Sequence, residues 1–302
     1  MSFDTELNEP SDVELKVALS SKQTITRRLY GVTDATVDIA PYLRDLSCSP
    51  PLITDEVSML PSQSSQRVYI TANGVSSHSF SLFHRPYTIS TSLLTTPQES
   101  VKHPRGEPIL LTLNSPNMTN LIVTQVMPGT TNTTTHSSKA STVPMDIVIP
   151  TTGLSEAVTH LRVTIHSGIS ELVTILYELV EKRSTATSIV WFNSRGGIEC
   201  YTFPVSLRVS YDAKVGAAGD EALGQYVPLS SATVCYRLCS AYEPAQQMER
   251  LAEIVFSPRI FRLDDGVLTP ISLRSRHVDF DSHGALRQMT IEVEEPWEGG
   301  AK

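Results

Sequence analysis

Four residues near the carboxyl end of the chain, His277, Asp279, Asp281 and His283, recur at every second position. On a strand this spacing puts all four on one face, with Val278 and Phe280 on the other. Imidazoles and carboxylates gathered in this way could hold a divalent cation, and these four are the metal candidates of the sequence. The default reading is nonetheless an exposed polar hairpin face with no metal, and Asp281-Ser282-His283-Gly284 also has the composition of a turn, which would swing His283 away. Cys235 and Cys239 are spaced CxxxC without a second pair or a histidine nearby, so they read as inert thiols rather than a zinc site. Gly196-Gly197 lies between two strand-like stretches instead of ahead of a helix, which makes it a turn and not a phosphate cradle. Ser194 lacks a Gly-x-Ser-x-Gly frame, and Asp264-Asp265-Gly266 lacks the remaining ligands of a calcium loop. Asn117-Met118-Thr119 and Asn132-Thr133-Thr134 match the glycosylation sequon as chance occurrences. The eight histidines are scattered along the chain. No nucleophile, base and oxyanion stabiliser come together, so the sequence predicts no catalytic residue, no cofactor and no enzyme.

The elements that would position these residues are strands. Val13, Leu15, Val17 and Leu19 alternate with polar residues, as do Val37 and Ile39, giving one apolar and one wet face. Residues 67–83 read as a β-hairpin about Asn73-Gly74, a dipeptide that supplies the positive φ values of a type I′ turn. Ile109, Leu111 and Leu113, then 121–127, 143–149 and 161–165, continue the pattern. Residues 171–182 fit either a helix face or a strand; Val173, Thr174, Ile175 and Tyr177 favour the strand. Trp191 to Phe203 reads as strand, glycine turn, strand, with Gly196-Gly197 expected at positive φ. One helix is signed over 244–256: Pro244 opens it, Met248, Leu251, Ala252 and Val255 fall at helical spacing, and Ser257-Pro258 stops it. A last strand carries Met289, Ile291 and Val293.

Residues 129–142 contain no large apolar side chain, which predicts a polar linker or loop and places a domain boundary there. Stretches 48–66 and 212–224 read as further long loops. The predicted fold class is mainly β: two β-sandwich or barrel-like domains, 1–128 and 143–302, with one α-helix near the C-terminus. A length of 302 residues agrees with two domains. Net charge is −8, which argues against a partner bound through a phosphate backbone. No apolar run reaches the length of a membrane span, and four cysteines make no disulfide framework. The acidic, polar start Met1-Ser2-Phe3-Asp4 has no signal-peptide pattern, so assembly in the cytoplasm is expected.

The segment Val190-Trp191-Phe192-Asn193-Ser194-Arg195-Gly196-Gly197-Ile198-Glu199-Cys200-Tyr201-Thr202-Phe203 resembles the W-(L/F)-N-x-x-G-G-x-(D/E)-x-(Y/F)-T-F hairpin of structural proteins from phages and prophages of Bacteroidetes hosts. Val37-Asp38-Ile39-Ala40-Pro41-Tyr42-Leu43 is similar to their early V-D-I-S-x-Y-L stretch. The helix leading into Ser257-Pro258-Arg259-Ile260-Phe261, and the closing strand 286–294, resemble theirs in the same order. Cys200, and Ala40 in place of Ser, depart mildly from the pattern. The resemblance implies a virion component of the tail, tail tip or baseplate, with homo-oligomeric contacts and other tail proteins as partners. It carries no catalytic residues. The rival expectation is a surface adhesin or carbohydrate-binding β-sandwich.

Overall fold

The computed structural model describes residues 2–19, 24–38, 49–63, 65–76, 80–82, 92–141, 143–215, 229–274 and 277–296. Readings that fell on 39–43, Cys48, 216–224 and Trp297 lie outside the described residues.

The chain is mostly β, and its described residues form four sheets. In the first, β1 (Ser2–Leu19) pairs antiparallel with β2 (Thr24–Asp38) and β4 (Gln66–Ala72), and β4 folds back onto β5 (Val75–Ser76) and β6 (Phe80–Leu82). Its alternating Val13, Leu15, Val17, Val68 and Ile70 are buried. Asn73 (φ 48°) and Gly74 (φ 81°) form the expected tight turn. Asn73 also clamps that turn to β1: its Oδ1 accepts from Glu14 N (2.8 Å) and its Nδ2 donates to the Asp12 carbonyl (3.2 Å).

The second sheet runs β3 (Ser58–Pro61), β12 (Met145–Ile149), β9 (Ile109–Asn114), β7 (Ser92–Leu93). The third runs β11 (Thr130–Ser138), β10 (Thr119–Met127), β13 (His160–Ser167), β14 (Ser170–Val180), β8 (Ser100–Pro104). These two form a sandwich over a core that includes Ile109, Leu111, Leu113, Met145, Ile147 and Ile149 from one sheet and Leu121, Leu161, Val163, Ile165 and Tyr177 from the other. Residues 171–180 accordingly follow the strand reading, and Glu181 and Lys182 lie just beyond the strand.

The fourth sheet has the order β16 (Ile198–Phe203), β15 (Thr187–Phe192), β20 (Ile260–Asp264), β21 (Val267–Leu273), β23 (Leu286–Pro296), β18 (Leu229–Cys239), β17 (Val205–Val215). The short strands β19 (Glu243–Pro244) and β22 (Asp279–His283) also pair with β23. Helix α1 (Ala245–Ala252) continues as a 3-10 turn over Glu253–Phe256, matching the expected 244–256. Met248, Leu251, Ile254 and Val255 pack with Ile189, Trp191 and Met289 on one face of this sheet. Val190, Phe192, Phe261 and Leu263 on its other face meet Leu110 and Val148 of the second sheet. The result is a stack of four layers: sheet three, sheet two, sheet four, helix. It explains why β9 and β12 are buried at every position, since strands covered on both faces read as near-continuous apolar runs.

One expectation is corrected here. Residues 129–142 are not a structureless linker, because Thr130–Ser138 is strand β11, paired in unbroken register with β10. Nor does hydrogen bonding stop at that segment: β9 pairs with β12 and β10 with β13, from either side of it. An edge strand exposed on both faces needs no apolar side chain, and β-branched threonine suits extended backbone. Likewise 48–66 contains β3, and 212–215 belongs to β17.

Two buried titratable groups have opposite effects in acid. Burial pushes the Asp146 carboxyl of β12 up from its ordinary 3.8 to about 6, against the hydrogen bonds from Ser62, Thr112 and Gln63. Burial pushes the His103 imidazole down from 6.5 to about 4, though its ring meets the Glu107 carbonyl at 2.8 Å. The raised Asp146 adds stability below pH 3.8 that fades as pH rises through 6. The lowered His103 loses stability as pH falls from 6.5 toward 4. Asp146→Asn removes the first effect and leaves the second. Melting temperatures taken across that window should therefore fall more steeply with acid in the variant than in the parent chain; parallel curves would show that Asp146 does not titrate there.

Candidate functional site

The β15–β16 hairpin joins sheet four to sheet two through a buried polar network. Asn193 ends β15, and its own amide donates to the Gly197 carbonyl (2.9 Å), closing the turn. Its side-chain oxygen accepts from Arg195 N and Gly197 N, both at 2.9 Å. Its side-chain nitrogen donates to the Leu94 carbonyl (2.8 Å) and to Glu199 Oε1 (2.6 Å). Gly196 takes the expected positive φ, 88°. For Gly197 the reason expected from sequence is replaced by another: a Cβ there would lie 2.5 Å from Thr95 N and closer still to the Leu94 carbonyl group. Glycine at 197 lets two backbones touch.

Glu199 has no exposed surface. Its Oε1 also accepts from Thr96 N (2.6 Å), and its Oε2 accepts from Arg250 Nε at 2.7 Å. Arg250, itself buried on α1, donates through Nη2 to the Cys200 carbonyl (2.7 Å) and stands over the Trp191 ring at 5.7 Å. Gln98, in the amide orientation that presents its oxygen, accepts from Arg250 as well. The network runs on into the second sheet: Ile198 N donates to Thr112 Oγ1 (3.1 Å), which donates to Asp146 Oδ1 (3.1 Å). Thr95 Oγ1 meets both Thr112 N and the Ile198 carbonyl. Nearly every polar atom of this seam has its partner inside the chain, which is what a buried joint between layers requires.

Above Arg250 a cleft of about 1370 Å³ opens between β8 and β14 on one side and β16 and the start of α1 on the other. Gln98, Gln246, Gln247, Gln288, Tyr201 and Tyr242 are among its lining residues. Tyr201 Oη donates to Glu243 Oε1 (2.9 Å), and burial, reinforced by that carboxylate, pushes the phenol well above its usual range. Burial also pushes the Cys200 thiol far up, so it offers no thiolate at neutral pH. Ser194 Oγ donates to Glu253 Oε1 (2.7 Å), a contact that ties the turn to the end of the helix.

The metal candidates stand apart from all this. Asp279, Asp281 and His283 alternate along β22, and every one of the four side chains is exposed. His277 Nε2 and Asp279 Oδ1 are 3.1 Å apart, whereas the His283 ring turns to Tyr242, with centroids 5.9 Å apart. Among the described residues, no group of three or more His, Cys, Asp or Glu side chains is placed to hold a metal ion. Asp264-Asp265-Gly266 is the β20–β21 turn, with Asp265 and Gly266 at positive φ. Cys200, Cys235 and Cys239 are free thiols. Among the described residues, no helix is long and apolar enough to cross a membrane.

The sequence marked Asn193, Gly197 and Glu199 only as parts of a hairpin motif. Their role as a joint shows only in the fold; the signal the sequence holds is the motif's own pattern, a turn asparagine, a glycine and a carboxylate within a strongly apolar hairpin.

No protein-family model matches the chain, and no curated protein matches it. Among solved structures, domains 4–9 of the surface layer protein SbsC align over 94% of this chain and 43% of that one, at 10% identity and a TM-score of 0.23. The chain therefore spans less than half of that structure. A marsupial T cell receptor aligns over 99% of this chain and 89% of the receptor, at 9% identity and a TM-score of 0.21. Likenesses this distant carry no functional argument.

Proposed function

We propose that this chain is a non-enzymatic structural protein of a phage or phage-like tail, placed in the tail, tail tip or baseplate. It joins the particle in the host cytoplasm through symmetric contacts with its own copies and with other virion proteins, binding neither nucleic acid nor membrane. The observation that carries the reading is a long strand edge, that of β11, whose outer side no described strand pairs. Such an edge is a template for another chain, and assembly proteins use it. β17, an edge strand of another sheet, exposes Leu207, Val209 and Tyr211 as a further contact surface, although its register with β18 breaks at two places. Tail identity itself rests on the resembling segments, and the layered, cross-linked stack suits a part that must bear load. The test is the presence of the chain in purified particles.

The amide- and tyrosine-lined cleft favours a second reading, a carbohydrate-binding sandwich protein at a cell surface, since side-chain amides and aromatic rings are what sugars pair with. That reading predicts the chain on cells rather than in particles.

A further inference from the structure

We infer that β11 is a self-pairing edge: two copies join antiparallel about Thr134, merging their third sheets into one continuous sheet. The inference rests on the assembly reading above and names the contact.

Natural sheets guard their edges with charge, proline, bulges or shortness. Three other edges among the described residues show those guards. β17 breaks register with β18 at two places, β2 carries Arg27 and Arg28 and breaks register with β1, and β8 is short and ends in Pro104. β11 has none of them. Its residues, Thr130 to Ser138, include no Asp, Glu, Lys, Arg or Pro, and its pairing with β10 is regular from end to end. It is exposed or half-exposed along its whole length. In a chain of net charge −8 an uncharged strip is where a second, equally acidic copy can approach without repulsion.

The side chains also complement themselves. Antiparallel pairing centred on Thr134 sets Thr130 against Ser138, Thr131 against Ser137, Asn132 against His136 and Thr133 against Thr135. Every pair can share a hydrogen bond, as this strand already does on its inner side: Thr133 Oγ1 lies 3.1 Å from Thr124 Oγ1, and Ser137 Oγ donates to Asn120 Oδ1 at 2.6 Å. A single strand pair buries less than a stable free dimer needs, so the contact acts together with others in an assembly, and covalent capture is the suitable readout.

The experiment is a single-cysteine scan of 130–138 in the full chain, oxidised at high protein concentration with copper-phenanthroline and air, and the cross-linked peptides are mapped by mass spectrometry. Facing strands lie about 4.8 Å apart, and each residue moved from the centre offsets the two copies by roughly 7 Å. Only Thr134→Cys then falls within disulfide reach of its own copy, and its dimer yield should exceed that at 130 or 138 by roughly tenfold. A maximum elsewhere in β11, or no β11 cross-link in a folded variant, overturns the inference. The chain found in particles without a β11 cross-link would sink this contact while leaving the tail reading intact; a β11 cross-link with the chain absent from particles would do the reverse.

Discussion

Gly197→Val will cost the fold roughly 3 kcal/mol or more, and far more than a surface substitution in the same hairpin. The added carbons enter the backbone of Leu94 and Thr95, which is itself hydrogen-bonded to Thr112 and to Asn193 and has no free direction to yield. Any relief must separate the second sheet from the fourth, which disturbs the shared core of Leu110, Val148, Phe192 and Phe261 as well. Even Gly197→Ala should be severe, because the clash begins at Cβ. Urea denaturation of the two variants measures this directly. Unchanged midpoints would mean that the hairpin does not touch that backbone.

Arg250→Met is the second large effect, on the order of 3–5 kcal/mol, because it leaves a buried carboxylate without its counter-charge. The side chains of Arg250 and Glu199 are 7% and 0% exposed, so solvent screens the pair little. Glu199 keeps the donors Thr96 N and Asn193 Nδ2, which soften the loss without removing it. Adding Glu199→Gln to Arg250→Met removes the orphaned charge, so the double variant should be more stable than Arg250→Met alone. If the two losses simply add, the residues are not coupled and the seam is not a joint.

What the sequence revealed follows from the range over which each signal acts. Alternation in Val13–Val17 and 289–293, the Asn73-Gly74 turn and the 3.6-residue spacing of Met248, Leu251 and Val255 are local patterns, and the structure keeps them. In β9 the sequence showed Ile109, Leu111 and Leu113 as an inward face but not the burial of Leu110 and Thr112, because their cover comes from a sheet more than seventy residues later. The polar strand β11 was invisible for a different reason: its stability comes from backbone pairing with β10, so no hydrophobic period marks it. The joint was half-legible. Asn193, Gly197 and Glu199 stood together in the motif, but the partners that give them meaning, Leu94, Thr96 and Arg250, are far away in sequence and become neighbours only on folding. In the His277–His283 alternation, Asp279, Asp281 and His283 lie along the exposed strand β22, where the side chains have no wall to converge on.

The claim that this chain is a built-in part of a tail is tested most directly by a mass-spectrometric inventory of purified phage or phage-like particles from the source organism, compared with the surface fraction of the same cells. Intact particles are expected to contain the chain, in a fixed ratio to the other tail proteins and in repeated copies per particle. Its absence from particles, with an abundant pool exposed on cells, would contradict the account and favour the carbohydrate-binding surface protein.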